Sequence, residues 1–156
     1  VHWRSLNFSS TSRTAPMVYT AVHTAAREGS LKRVKRLLEN VMWLNAPHID
    51  ATTSLGHTAL HVAAANGHLE IVTYLLSKQA NVDSVTNNGN TALHLAAMGN
   101  HAIVAKGLMP YGADPKIANE AGKLAWELTT DPELSAWLKD LSTKIAVEMD
   151  VEELED

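Results

Sequence analysis

The segment Gly56-His-Thr-Ala-Leu-His61 returns as Gly89-Asn-Thr-Ala-Leu-His94, a step of 33 residues. A further step of 33 lands on Gly122-Lys-Leu-Ala-Trp-Glu127, a degraded copy, and Thr20-Ala-Val-His23 precedes Thr58-Ala-Leu-His61 by 38. QANVD (79–83) and GADPK (112–116) fall at equivalent places in consecutive copies. Self-similarity at a period of roughly 20–50 residues marks one supersecondary unit stacked on copies of itself. Such a unit cannot bury its apolar face alone, so the chain must form an extended array.

Each copy carries helix signals. Thr58 and Thr91 stand where an N-cap belongs, with a hydroxyl ready to accept from a free backbone N–H. Leu60, Ala63 and Ala64 recur at helical spacing, and the small alanines let two helices approach closely. Gly67 closes that first helix in a position that wants left-handed geometry, and Asn100 stands there in the next copy. Leu69, Val72, Leu75 and Leu76 form the buried stripe of a second helix. The run NVDSVTNNGN then supplies the chemistry of a projecting hairpin-like loop.

Thr58-Ala-Leu-His-Val-Ala63 and Thr91-Ala-Leu-His-Leu-Ala96 follow the signature T-P-L-H-x-A, with Ala in place of Pro at 21, 59 and 92. The chain therefore resembles the ankyrin-repeat family over about Thr20 to Leu141. Proline at a first helical turn pre-sets φ, so alanine there should soften stability and leave the fold intact. The resemblance implies an all-α class: an ankyrin-repeat α-solenoid of about four helix-turn-helix repeats with projecting hairpin-like loops. The repeats fall near 20–52, 53–85, 86–118 and 119–148, within a domain spanning 17–148.

Eight histidines and no cysteine first suggest a metal site built on His61/His68 and His94/His101. The repeat argues otherwise. Equivalent side chains on stacked helices stand about 8–10 Å apart and point in parallel, whereas a zinc site needs imidazoles converging to about 2.0–2.1 Å. The resemblance implies instead that each signature histidine hydrogen-bonds loop backbone groups of a neighbouring repeat. No metal and no cofactor is expected.

Composition narrows the rest. Thirteen basic and 17 acidic residues leave a net charge of −4, too mild to announce nucleic acid or an anionic membrane. Without cysteine there is no disulfide, thiolate zinc site or cysteine nucleophile. No apolar run is long enough for a membrane span. Residues 1–16 hold Arg and Ser but no acid. That composition fits a leader, tag or flexible segment better than an organellar transit peptide. Asp131-Pro132-Glu133 reads as N-cap, N1 proline and first-turn acid of a last helix. Leu134, Trp137, Leu138, Leu141 and Ile145 would be its inner stripe, above Trp126. The tail 149–156 belongs to the acidic run EMDVEELED and is expected to fray.

Positions that differ between copies face solvent or a partner. The resemblance places a partner surface on the concave side, at loop tips and the exposed edges of the first helices. Its centre would be Leu55, His57, Asn66, Val85, Asn87, Asn88, Asn90 and Met98, flanked by Arg27 and Glu28 and by Glu120, Ala121 and Lys123. Leu55, Val85 and Met98 supply apolar contact, the asparagines hydrogen bonds. Val41, Met42, Trp43 and Leu44 form an apolar knob, for local packing or as a partner anchor. Lys32, Arg33, Lys35 and Arg36 fan over the outside of a second helix. That face is either solvated or a docking patch for phosphate or an acidic segment.

No nucleophile–base motif, Gly-rich phosphate loop or H-E-x-x-H sequence is present. The sequence thus points to a non-catalytic protein–protein interaction module, a scaffold or regulatory inhibitor, monomeric on its own and working in cytoplasm or nucleus. The alternative is an electrostatic binder of phosphate-bearing or acidic ligands through the basic helix 27–36.

Overall fold

A computed structural model describes residues 15–39 and 49–152, with side chains over 21–39 and 49–144. Seven α-helices and no strand occur among the described residues. They pair as α1 (Ala15–Arg27) with α2 (Leu31–Glu39), α3 (Ala59–Ala65) with α4 (Leu69–Ser77), and α5 (Ala92–Met98) with α6 (Ala102–Leu108). The long α7 (Pro132–Glu152) closes the array, preceded by 3-10 turns at Met109–Tyr111 and Ala125–Glu127. Helices α1, α3 and α5 stack as an inner row, and α2, α4 and α6 as an outer one. Between the rows runs one continuous core from Val22 to Leu138, built of Ala, Val, Leu and Ile. Alanines 25, 26, 63, 64, 96 and 97 are fully buried, which is what lets the inner helices pack closely.

Each expected N-cap on the two full repeats is present. Thr58 and Thr91 adopt extended backbone angles and accept from the N–H of His61 and His94. Gly67 has φ +76°, and Asn100 reproduces the conformation at φ +55°. Gly67 answers a second demand as well, because a Cβ there would lie 2.7 Å from the His101 ring. Gln79 is also left-handed, at φ +67°, where the next repeat uses Gly112.

The structure departs from expectation at both ends. Helix α1 begins at Ala15, so Thr20 and Ala21 lie inside it and not at its start. Alanine at 21 is therefore required by continuity: proline there would remove a helical hydrogen bond and clash with the preceding turn. In the fourth repeat the first helix is reduced to the 3-10 turn, so it is not a full helix-turn-helix unit. Leu124 replaces the capping threonine and has no acceptor, and Glu127 supplies the cap by accepting from Leu124 N–H at 2.8 Å. Asp131 then starts α7 early, its Oδ1 accepting from Glu133 and Leu134 N–H. Leu134 and Leu138 are buried, Trp137 and Leu141 half-buried, and Ser135 Oγ donates to the Trp126 carbonyl. Helix α7 continues to Glu152, past the boundary expected at 148. The apolar knob at 41–44, residues 1–14 and 153–156, and the Ile145 side chain lie outside the described residues.

Two series of histidines bond the repeats to one another. His61 Nε2 lies 2.8 Å from the Ser84 carbonyl and 3.1 Å from that of Asn90, in the following loop. His94 Nε2 reaches the Lys123 carbonyl at 3.1 Å. His23, the third copy of this position, meets the carbonyls of Ala51 and His57 at 3.1 and 2.9 Å. A second series runs backward: His68 Nε2 to the Arg27 carbonyl and His101 Nε2 to that of Ala65. In both buried rings Nδ1 faces the N–H of its own N-cap, Thr58 or Thr91. That N–H can only donate, so Nδ1 accepts and Nε2 carries the proton. Burial lowers the pKa of His61 from 6.5 to about 4, against smaller raising effects of the bonds to Ser84 and Asn90. Burial likewise lowers that of His94.

Two outcomes follow from this wiring. The unfolded chain takes up a proton on His61 near pH 6.5, while the folded chain resists until about pH 4. Stability is therefore full above 6.5 and falls as pH drops through that window, by on the order of 3 kcal/mol from His61. Urea denaturation between neutral pH and about pH 4 should show the loss, and His61→Ala should flatten it. At neutral pH, His61→Ala or His94→Ala should cost about 1–3 kcal/mol through orphaned loop carbonyls, and zinc should leave the melting curve unmoved. Deleting 122–156 strips α7 from an apolar face and should give an aggregating or partly unfolded product, whereas deleting 149–156 should leave Tm nearly unchanged.

Candidate functional site

The inner face is built from the loops and the solvent-facing edges of α3 and α5. Three loops share one wiring. Thr53, Thr86 and Asn119 each donate their N–H to the carbonyl four residues on, at 2.9, 3.0 and 2.9 Å. Gly56, Gly89 and Gly122 N–H return to the carbonyls of those same three residues. This is a tight turn followed by a left-handed residue, the standard way to close a three-residue hairpin. The side chains of Thr53, Thr86 and Asn119 then accept from the N–H of His57, Asn90 and Lys123.

The loops are also stitched to one another. Asn87 N–H donates to the Leu55 carbonyl and Glu120 N–H to that of Asn88. Asn87 Nδ2 donates to the Ser54 carbonyl at 3.0 Å, and Asn119 Nδ2 to Asn90 Oδ1 at 2.9 Å. At the loop bases, Asp50 and Asp83 accept from the N–H of Asn81 and Asp114. With these bonds and the histidine series in place, the loop tips form a row set by the array.

The expected site residues separate on this frame. Leu55, Val85 and Met98 are 64, 51 and 54 % exposed, large apolar side chains held in solvent. Asn88 is exposed, and its side chain has no hydrogen bond among the described residues. Asn87 and Asn90 differ from expectation. Their amides bind the neighbouring loops, so each is a strut first and a contact second. Asn66 is exposed at the end of α3 and donates Nδ2 to the Val62 carbonyl. His57 is half-buried, not a free surface residue: its ring meets His61 edge-on at 6.2 Å and its carbonyl accepts from His23. Leu55, Asn87 and Asn88 come together at the loop tips. Met98 lies at the far end of α5, about 10 Å along the helix, with half-buried Val62 on α3 and buried Leu95 on α5 itself.

Two exposed apolar residues escape a sequence reading centred on the loops. Ile103 on α6 is 70 % exposed and Tyr111 43 %. The repeat itself carries a signal for Ile103, since its copies at 70 and 32 are Glu and Lys. The basic residues of α2 are exposed as expected, although Arg33 is ion-paired with Glu28. Among the described residues no group of three or more His, Asp or Glu side chains is placed to hold a metal. No described helix is long and apolar enough to cross a membrane.

The comparisons agree with this geometry. No curated protein matches the chain. The family model for ankyrin repeats, in three copies, matches residues 22–119. That span takes in the second half of α1, the inner helices α3 and α5, the outer helices α2, α4 and α6, and the loops that join them, and on it the chain belongs to the ankyrin-repeat family.

Proposed function

We propose that this chain is a non-catalytic protein–protein interaction module, the role ankyrin repeats have in general, and that as a scaffold or a regulatory inhibitor it takes a protein partner on its concave face at repeats 2 and 3. The observation that carries the reading is the exposure of Leu55, Val85 and Met98 on a bonded frame. Isolated exposed apolar residues are ordinary. These three differ because they stand on loops and a helix end that the array has already immobilised, so a partner orders little on contact. Asn88 adds a free amide at the loop tip to fix orientation. Capping repeats on both sides allow a partner to cover the strip and exclude water, the condition under which hot spots arise.

The basic face of α2 supports a different role. It lies on the outer row, away from the loop tips, and exposed charge there changes encounter rate and salt sensitivity more than affinity. A protein partner captured by the full chain and identified by mass spectrometry supplies the test. Val85→Asp with Met98→Glu should abolish capture with circular dichroism and melting unchanged, since both side chains are more than half exposed. Reversing Lys32, Arg33 and Arg36 should alter only association rate and salt dependence. Retention by the concave double variant with loss by the basic-face variant would move the site to α2.

A further inference from the structure

The outer face of the first two repeats carries positive charge that its surroundings do not balance. Lys32, Lys35 and Arg36 are exposed on α2 and make no ion pair among the described residues. Lys78, at the end of α4, joins them through Tyr74: Lys35 and Lys78 hold their ammonium groups 5.3 and 5.7 Å from that ring's centre. The nearby acids are few, and two of them are engaged. Glu28 is paired with Arg33, and Asp50 accepts from Asn81 N–H. Glu39, beside Tyr74, and Glu70, in the first turn of α4, are the other two, against four exposed cations. Residues 1–27 and 40–48 contain no acid at all, so neither flanking segment can neutralise this face.

The compensating charge sits at the other end of the chain. Residues 148–156 hold six carboxylates and no base. Distance works against their folding back onto α2 of the same molecule. Three repeat steps of about 8–10 Å separate the first outer helix from the last, roughly 25–30 Å. Helix α7 is formed as far as Glu152, and the four residues beyond reach at most about 14 Å.

We propose that the basic outer face formed by Lys32, Lys35, Arg36 and Lys78 is the docking surface for the acidic C-terminal segment, residues 148–156, of a second copy of this chain. The contact is head to tail. The two surfaces are different, so each copy keeps one free end and the association grows as an open row. It leaves the concave loop tips uncovered and is independent of what binds there. The charges are exposed, so salt screens the contact, and a dilute chain stays monomeric.

Sedimentation velocity on the full chain tests this. In about 50 mM salt the weight-average sedimentation coefficient should rise with concentration, and about 500 mM salt should weaken association roughly tenfold or more. A face variant, Lys32→Glu with Arg36→Glu, should stay monomeric. So should a tail variant carrying Glu148→Gln, Asp150→Asn, Glu152→Gln, Glu153→Gln, Glu155→Gln and Asp156→Asn. Mixed in equal amounts, the face variant offers an acidic tail and the tail variant a basic face. The mixture should form pairs and stop at two. Circular dichroism and melting of each variant should match the parent, which separates lost docking from lost folding. A parent chain that sediments alike at every concentration, a tail variant that associates like the parent, or a mixture that stays monomeric would each overturn the proposal.

Discussion

A neutral imidazole held between a helix start and a neighbouring loop is the interaction on which this array depends. A loop projecting from stacked helices carries carbonyls that would otherwise be stranded near the core, and a buried unpaired carbonyl is costly. His61 reaches two such carbonyls, of Ser84 and Asn90, and His94 reaches that of Lys123. The other ring nitrogen is held by the N-cap of its own repeat, so one side chain ties a helix terminus to the next loop. Since that N–H can only donate, the proton's place is set without choice, and a second proton is resisted. The backward series, from His68 and His101 to Arg27 and Ala65, bonds each repeat to the one before it.

The ends of the array show what happens when this device is withdrawn. At position 124 leucine stands where threonine should cap, and at 134 leucine replaces the backward histidine. The inner helix shrinks to one 3-10 turn, and the chain moves early into α7. Asn100 takes over the linkage: its Oδ1 accepts from Thr129 Oγ1 and from the N–H of Thr130 and Asp131. That explains why the left-handed position is glycine in repeat 2 and asparagine in repeat 3. Gly67 must leave room for the His101 ring, whereas Asn100 faces a repeat with no histidine and uses its amide instead.

The same wiring shapes the surface. Asn87 and Asn90 are spent on holding loops together, which rigidifies the row of tips but reduces what they can offer a partner. In the binding proposed for this face, affinity would come from the apolar side chains left in solvent, with Asn88 for direction. A rigid frame presenting a few large side chains loses little conformational freedom on binding, and this is why repeat arrays serve as interaction surfaces.

The repeat unit was legible in the sequence because it depends on local rules: the capping threonines, the left-handed Gly67 and Asn100, the apolar stripe of α4. Those rules act over one or two helical turns, and 33-residue copies repeat them. Exposure of Leu55, Val85 and Met98 was legible too, since a position that varies among copies is seldom in the shared core. What lay beyond the sequence was every assignment that depends on which atom of a neighbouring repeat arrives within 3 Å or so. An asparagine at a loop tip is equally suited to a partner or to the next loop. Only stacking decided that Asn87 and Asn90 face the loop and Asn88 the solvent. Thr20 matches the template yet lies inside a helix that starts at Ala15, because the helix upstream removed the need for a cap. Local propensity names the element, and the neighbour in space decides what each polar group is for.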